Sequence, residues 1–130
     1  MAQVEWKTEP DEHDYPAAAS YLSLLTSPDA AGRIVDELRT AEIVRRKAKD
    51  ILRASGLRLL DRSNPHVASD LDKVRKGQPL SPVLLVRGNL ASGRRLQIAD
   101  GYHRVCASYH LDENTDIPCR LVGIDDRAAP

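Results

Sequence analysis

Asp100-Gly101-Tyr102-His103-Arg104 places a carboxylate, a glycine, a phenol, an imidazole and a guanidinium on five consecutive residues. Those types suit a phosphate group. A glycine lets the backbone approach a ligand closely. The first turn of a helix offers unpaired N–H groups and the positive end of its dipole. A guanidinium grips phosphate through two donors at once. Gly101 and Arg104 are therefore candidate binding residues. The competing reading is an Asp-Gly turn that caps a helix and leaves His103 and Arg104 in solvent.

A cradle of this kind needs a strand ending at Asp100, a turn at Gly101 and a helix opening at Tyr102. Leu96 and Ile98 alternate with polar neighbours, as in a half-buried strand. Val105, Cys106 and Tyr109 then recur at helical spacing. Upstream, Ser81-Pro82 leads into the apolar run Val83–Val86, short enough for a buried strand. Gly88 to Arg94 is a turn-rich link. Ile117–Val122 is the closing strand, with Pro118 near its start. Asn64-Pro65 opens a helix with Val67, Leu71 and Val74 inside and Gly77 as its stop. Leu57 to Leu60 is a further short strand.

The first part of the chain has another character. Met1 to Asp14 is polar and acidic and reads as an extended arm, with Trp6 docking on the body or marking a contact with another chain. Pro16 suits the first turn of a helix with Ala18, Tyr21, Leu22 and Leu25 on one face. Ser27-Pro28 starts a second helix. Its stripe of Ile34, Leu38, Ala41, Ala48 and Leu52 runs to Gly56. Arg45 falls near the middle of that stripe. A break near Thr40, a snorkelling side chain, or a reach into the phosphate site would each account for it. The order, helices and then βαββαβ, predicts an α+β fold: a small mixed β-sheet with flanking helices, preceded by an N-terminal helical segment. We divide it into an acidic arm with helices over residues 1–56 and a core carrying the cradle over 57–130, together one compact domain.

With 130 residues the chain suffices for one core without staples. Nineteen basic residues balance nineteen acidic ones, which excludes a broadly basic nucleic-acid coat. Charge is nevertheless segregated. The first 29 residues are acidic, while 39–62 carry Arg39, Arg45, Arg46, Lys47, Lys49, Arg53, Arg58 and Arg62. Such segregation marks an anionic ligand, a charged partner or a solvated helix face. Cys106 and Cys119 lie inside regular elements without metal spacing and read as reduced core thiols. No carboxylate cluster of metal-ligand type stands out. Neither a membrane span nor a secretory signal is visible, so a cytoplasmic protein is expected, with no membrane partner.

Three stretches carry a family resemblance: Leu80–Val86, Ile98–Arg104 and Ile117–Val122. In that order they resemble the superfamily that joins the N-terminal domain of ParB partition proteins (the ParB-like nuclease domain) to sulfiredoxin, over about residues 57–122. Sulfiredoxin's Gly-Gly-Cys-His-Arg is similar at Gly101, His103 and Arg104, which implies a cradle for nucleotide phosphates. Its reactive cysteine falls on Tyr102, so sulfinic-acid reduction is not implied. The partition proteins' Gly-Glu-Arg-Arg matches at Gly101 and Arg104, and its glutamate also falls on Tyr102. The related free serine kinases carry Asp-Gly-His-Thr-Arg, matched at Asp100, Gly101 and Arg104, which implies Asp100 as the candidate catalytic residue, a metal ligand or general base, or else a helix cap. The resemblance adds Tyr102 and His103 to Gly101 and Arg104 as candidate binding residues, His103 being either a phosphate partner or an exposed imidazole. The resemblance implies ATP, ADP or CTP with Mg2+ as the ligand, in a small phosphotransferase or a nucleotide switch. Tyr102 would sit at the lip of the cradle, stacking on a base or packing on a neighbour. The alternative is a non-enzymatic nucleic-acid or protein interaction module using the basic 39–62 stretch, with homodimer docking through the acidic arm.

Overall fold

The structure is a computed structural model that describes residues 3–123. The outer ends of the arm and core assignments, residues 1–2 and 124–130, lie outside the described residues. The fold is α+β, with five helices and one four-stranded mixed sheet among the described residues. The elements are α1 (Asp14–Leu22), α2 (Pro28–Thr40), β1 (Ile43–Lys47), α3 (Ala48–Ser55), α4 (Pro65–Arg75), β2 (Val83–Val86), β3 (Gln97–Asp100), α5 (Tyr102–Leu111) and β4 (Asp116–Val122). Strand order is β1-β4-β2-β3, with β2 and β4 parallel at the centre and both outer pairings antiparallel.

β2 explains the layering. All four of its residues are buried, and alternation sends them to opposite faces. Val83 and Leu85 join Ile51, Val67, Val105 and Ile117 in a core under α3, α4 and α5. Leu84 and Val86 join Tyr15, Ala18, Ile34 and Leu38 under α1 and α2. The N-terminal helices thus cover the second face of a sheet that would otherwise expose an apolar surface.

Several boundaries are set by the local signals that predict them. Ser27 Oγ accepts from Ala30 N at 3.1 Å at the head of α2, with Pro28 just inside. Asn64 Oδ1 accepts from His66 N and Val67 N at the head of α4. Trp6 docks on the body: it pairs with Leu80 and packs against the core beneath α3–α5. Both cysteines are free and buried, and burial pushes the Cys119 thiol up to about 11.

Three expectations are corrected. The second helix does not run to Gly56; α2 stops at Thr40 and Ile43–Lys47 forms β1. The β-branched pair Ile43-Val44 finds the open edge of β4, and strand geometry leaves Arg45 exposed opposite Pro118, where a continuous helix would have buried it. Arg45 therefore lies on an edge strand and does not line the site described below. Leu57–Leu60 is not a strand, and two of its carbonyls meet side chains instead of a neighbouring strand. Arg58 O accepts from Tyr102 Oη at 2.6 Å, and Leu60 O meets His110 Nε2 at 2.7 Å. The sheet accordingly draws on residues either side of 56. In α1, Ala18 and Leu22 are buried as expected, but Tyr21 is exposed, with its hydroxyl on Gln97, and Leu25 is exposed because the helix ends at Leu22. Among the described residues no helix is long and apolar enough to cross a membrane.

Candidate functional site

β3 ends at Asp100, Gly101 turns the chain, and α5 begins at Tyr102. Gly101 has φ +111° and supplies no side-chain cap, so the first turn of α5 is left without one. A Cβ at Gly101 would fall 2.5 Å from Val83 Cγ1 and 3.1 Å from Arg104 Nη2. Glycine is required here for the packing of the turn on β2 as well as for its dihedral angle.

The turn opens into a cavity of about 570 Å3 between α4, α5 and the N-terminal arm. Asp100, Gly101, His103 and Arg104 all line it, and Tyr102 does not. Tyr102 turns towards the Leu57–Leu60 segment, where its hydroxyl donates to Arg58 O and its ring packs on the core. The other lining groups come from far away in sequence: Lys7, Asp11, His13 and Asp14 from the arm and α1, and His66, Asp70 and Lys73 from α4.

At the back of the cavity Arg104 is held by its own chain. Nη1 donates to Ser81 O at 2.8 Å and to Asp14 Oδ2 at 3.2 Å, while Nη2 donates to Asp100 Oδ2 at 2.5 Å. Ser81 Oγ also donates to Asp14 Oδ2, at 2.6 Å. One guanidinium thus bridges two carboxylates, one fully buried and one half-buried. Burial pushes Asp100 up to about 6; Arg104 works against that rise, and the neighbouring Asp14 adds to it.

The front of the cavity is formed by the two helices. The rings of His66 and His103 stand 4.7 Å apart between centroids. Burial, and next the neighbouring His66, lower the pKa of His103, which favours its neutral form. Asp70 lies one turn after His66, and burial raises its pKa against the pull of Lys73, 3.9 Å away. From the arm and the start of α1, ligand atoms of Asp11, His13 and Asp14 lie within 4.8 Å of one another. That set supplies two carboxylates and an imidazole, and its oxygen donors fit a hard divalent cation.

The lining carries three permanent cations, Lys7, Lys73 and Arg104, against the four carboxylates of Asp11, Asp14, Asp70 and Asp100. A bare polyanion would meet like charge from those carboxylates. An anion carrying a divalent cation would not.

Sequence reasoning missed the arm and α4. The His66/Asp70 spacing of four residues was a usable signal, because it puts both on one helical face. For Asp11, His13 and Asp14 no local signal separates a site from an acidic arm. The arm's acids also meet partners within the chain: Glu12 with Arg39 at 2.5 Å, Glu9 with Arg120 at 3.4 Å, and Lys7 with Asp11 at 2.7 Å.

Compared with known proteins, the chain matches no family model, no curated protein and no solved structure at significance.

Proposed function

We propose that the cavity at the start of α5 binds the phosphate groups of a nucleotide, ATP, ADP or CTP, together with Mg2+. The protein would then be a small phosphotransferase or a nucleotide-dependent switch. One observation carries this reading: the uncapped first turn of α5 opens into the same cavity as Lys7, Lys73, His103 and the carboxylates of Asp14 and Asp100. The motif resemblance to the ParB/sulfiredoxin superfamily at Gly101, His103 and Arg104 supports it from the sequence.

The residues take distinct roles. The α5 N–H groups and His103 face the phosphates, with Lys73 and Lys7 adding charge. Asp11 and Asp14 would hold the cation, which neutralises charge on a transferring phosphoryl group when bound. Asp100, pushed up to about 6, is matched to taking a proton from an acceptor hydroxyl near neutral pH. Arg104 fixes Asp14 and Asp100 in place and is a positioning residue in this arrangement.

Equilibrium binding of ATP, ADP and CTP with and without Mg2+ tests the reading, on the wild type and on His103→Ala and Lys73→Ala. Binding should require Mg2+, and each variant should lose about 1.5–3 kcal/mol, the usual worth of a charged hydrogen bond. Failure of all three nucleotides to bind with Mg2+ overturns the function. Binding that survives both substitutions intact overturns the site.

A further inference from the structure

The opposite end of the sheet carries a second surface, of different charge. β2 (Val83–Val86) leads away from Ser81, which lines the α5 cavity, towards Arg87, and β3 (Gln97–Asp100) runs back to Asp100, which lines that cavity too. Around Arg87 and Leu96 lies a cavity of about 860 Å3, lined by Arg87, Arg94 and Arg95 on a floor of Leu96 and Leu121. Next to it is a cavity of about 400 Å3, lined by Lys49, Arg53 and Tyr109. The two meet at Gly56, which lines the second cavity: a Cβ there would fall 2.3 Å from Arg95 Nη1, so the guanidinium of the first cavity rests directly on that glycine. Among the described residues no carboxylate lines either cavity. This contrasts with the four carboxylates at the α5 turn.

The loop that builds this surface is ordered by its own backbone. Asn89 N donates to Arg94 O at 2.8 Å and Arg94 N returns to Asn89 O at 3.0 Å. Gly88 admits the returning strand, since a Cβ would fall 2.5 Å from Arg94 O. Arg87 and Arg95 are exposed on either side of that closure. Lys49 and Arg53 have exposed ion pairs to Glu113 at 4.0 Å and Asp50 at 3.3 Å. Pairs of that kind contribute little and give way to a polyanion.

We propose that these joined cavities form a groove for single-stranded nucleic acid. The exposed guanidiniums of Arg87 and Arg95, with Arg53, offer several charged contacts, which suits successive phosphates better than a single anion. Tyr109 provides an aromatic face at one end, and a concave track lined by cations is how single strands are held without base reading. The groove draws on Lys49 and Arg53 of the basic 39–62 stretch and on loop arginines outside it. It is independent of nucleotide binding at α5.

Fluorescence anisotropy with a labelled oligo-dT tests it, beside a labelled duplex and a labelled poly-glutamate peptide. The single strand should bind at low salt, and the logarithm of its affinity should fall against that of salt by about 0.7 per phosphate contacted. Arg87→Ala and Arg95→Ala should each weaken binding by about tenfold. Arg33→Ala, which removes an exposed charge from α2, should leave it unchanged. Circular dichroism checks each fold. If Arg95→Ala unfolds, Arg87→Ala alone decides. No binding at low salt, an equal loss in Arg33→Ala, or tighter binding of the duplex or the peptide each overturns the proposal.

Discussion

Asp14 and Arg104, ninety residues apart in the chain, meet at 3.2 Å inside the protein. The contact ties the first helix to the last, because Arg104 also holds Asp100 and the Ser81 carbonyl. It makes the arginine of the motif a keystone between the arm and the sheet as well as a site residue.

Replacing that arginine should therefore cost stability first. Arg104→Ala leaves the buried Asp14 and the half-buried Asp100 without their shared cation, a change worth about 3–5 kcal/mol when a buried pair is broken. Urea unfolding measures it. The loss should shrink at lower pH, where the orphaned Asp100 carboxyl takes up a proton. A loss below about 1 kcal/mol would mean that the network is not what joins α1 to α5.

Asp100 gives the protein a pH signature of a definite sign. Its carboxyl is pushed up to about 6 in the fold from an ordinary value of 3.8. The folded state then binds the proton more tightly than the unfolded one. This contribution to stability is present below about pH 4 and is lost as pH rises through about 6. Asp70, raised by burial, contributes with the same sign. Asp100→Asn should flatten the pH dependence of stability between those limits, and carbon-detected NMR should follow the Asp100 carboxyl titrating near 6. A midpoint at or below 4 contradicts this.

Gly101 should be less replaceable than other glycines of the same backbone hand. Gly101→Ala meets both an unfavourable φ of +111° and the Val83 side chain, and it should lose about 2 kcal/mol or more. Gly77→Ala, at φ +74° with open space around it, should lose only about 1–2 kcal/mol. Thermal melts of the pair separate strain from crowding. Equal losses would remove the packing role of Gly101.

Tyr102, expected at the lip of a cradle, points instead to Arg58 O. Tyr102→Phe should lower stability by about 1 kcal/mol through the lost hydrogen bond and leave nucleotide affinity unchanged. A tenfold drop in affinity with stability intact would return Tyr102 to the site.

What the amino-acid order determined by itself is local. Ser27-Pro28 and Asn64-Pro65 start their helices where they stand, because a capping oxygen and a fixed φ act within four residues. Val83–Val86 reads as a buried strand from composition alone, and Asp100-Gly101 marks its turn by chemistry carried within two residues. The tertiary structure decided whatever depends on a partner far along the chain. Ile43–Lys47 continued a plausible helical stripe, and only the free edge of β4 made it a strand. Leu57–Leu60 had a strand's composition but met side chains in place of a neighbouring strand. The surroundings of Arg104 were likewise hidden, since periodicity places a residue on a face but does not say which distant carboxylate will be folded against it.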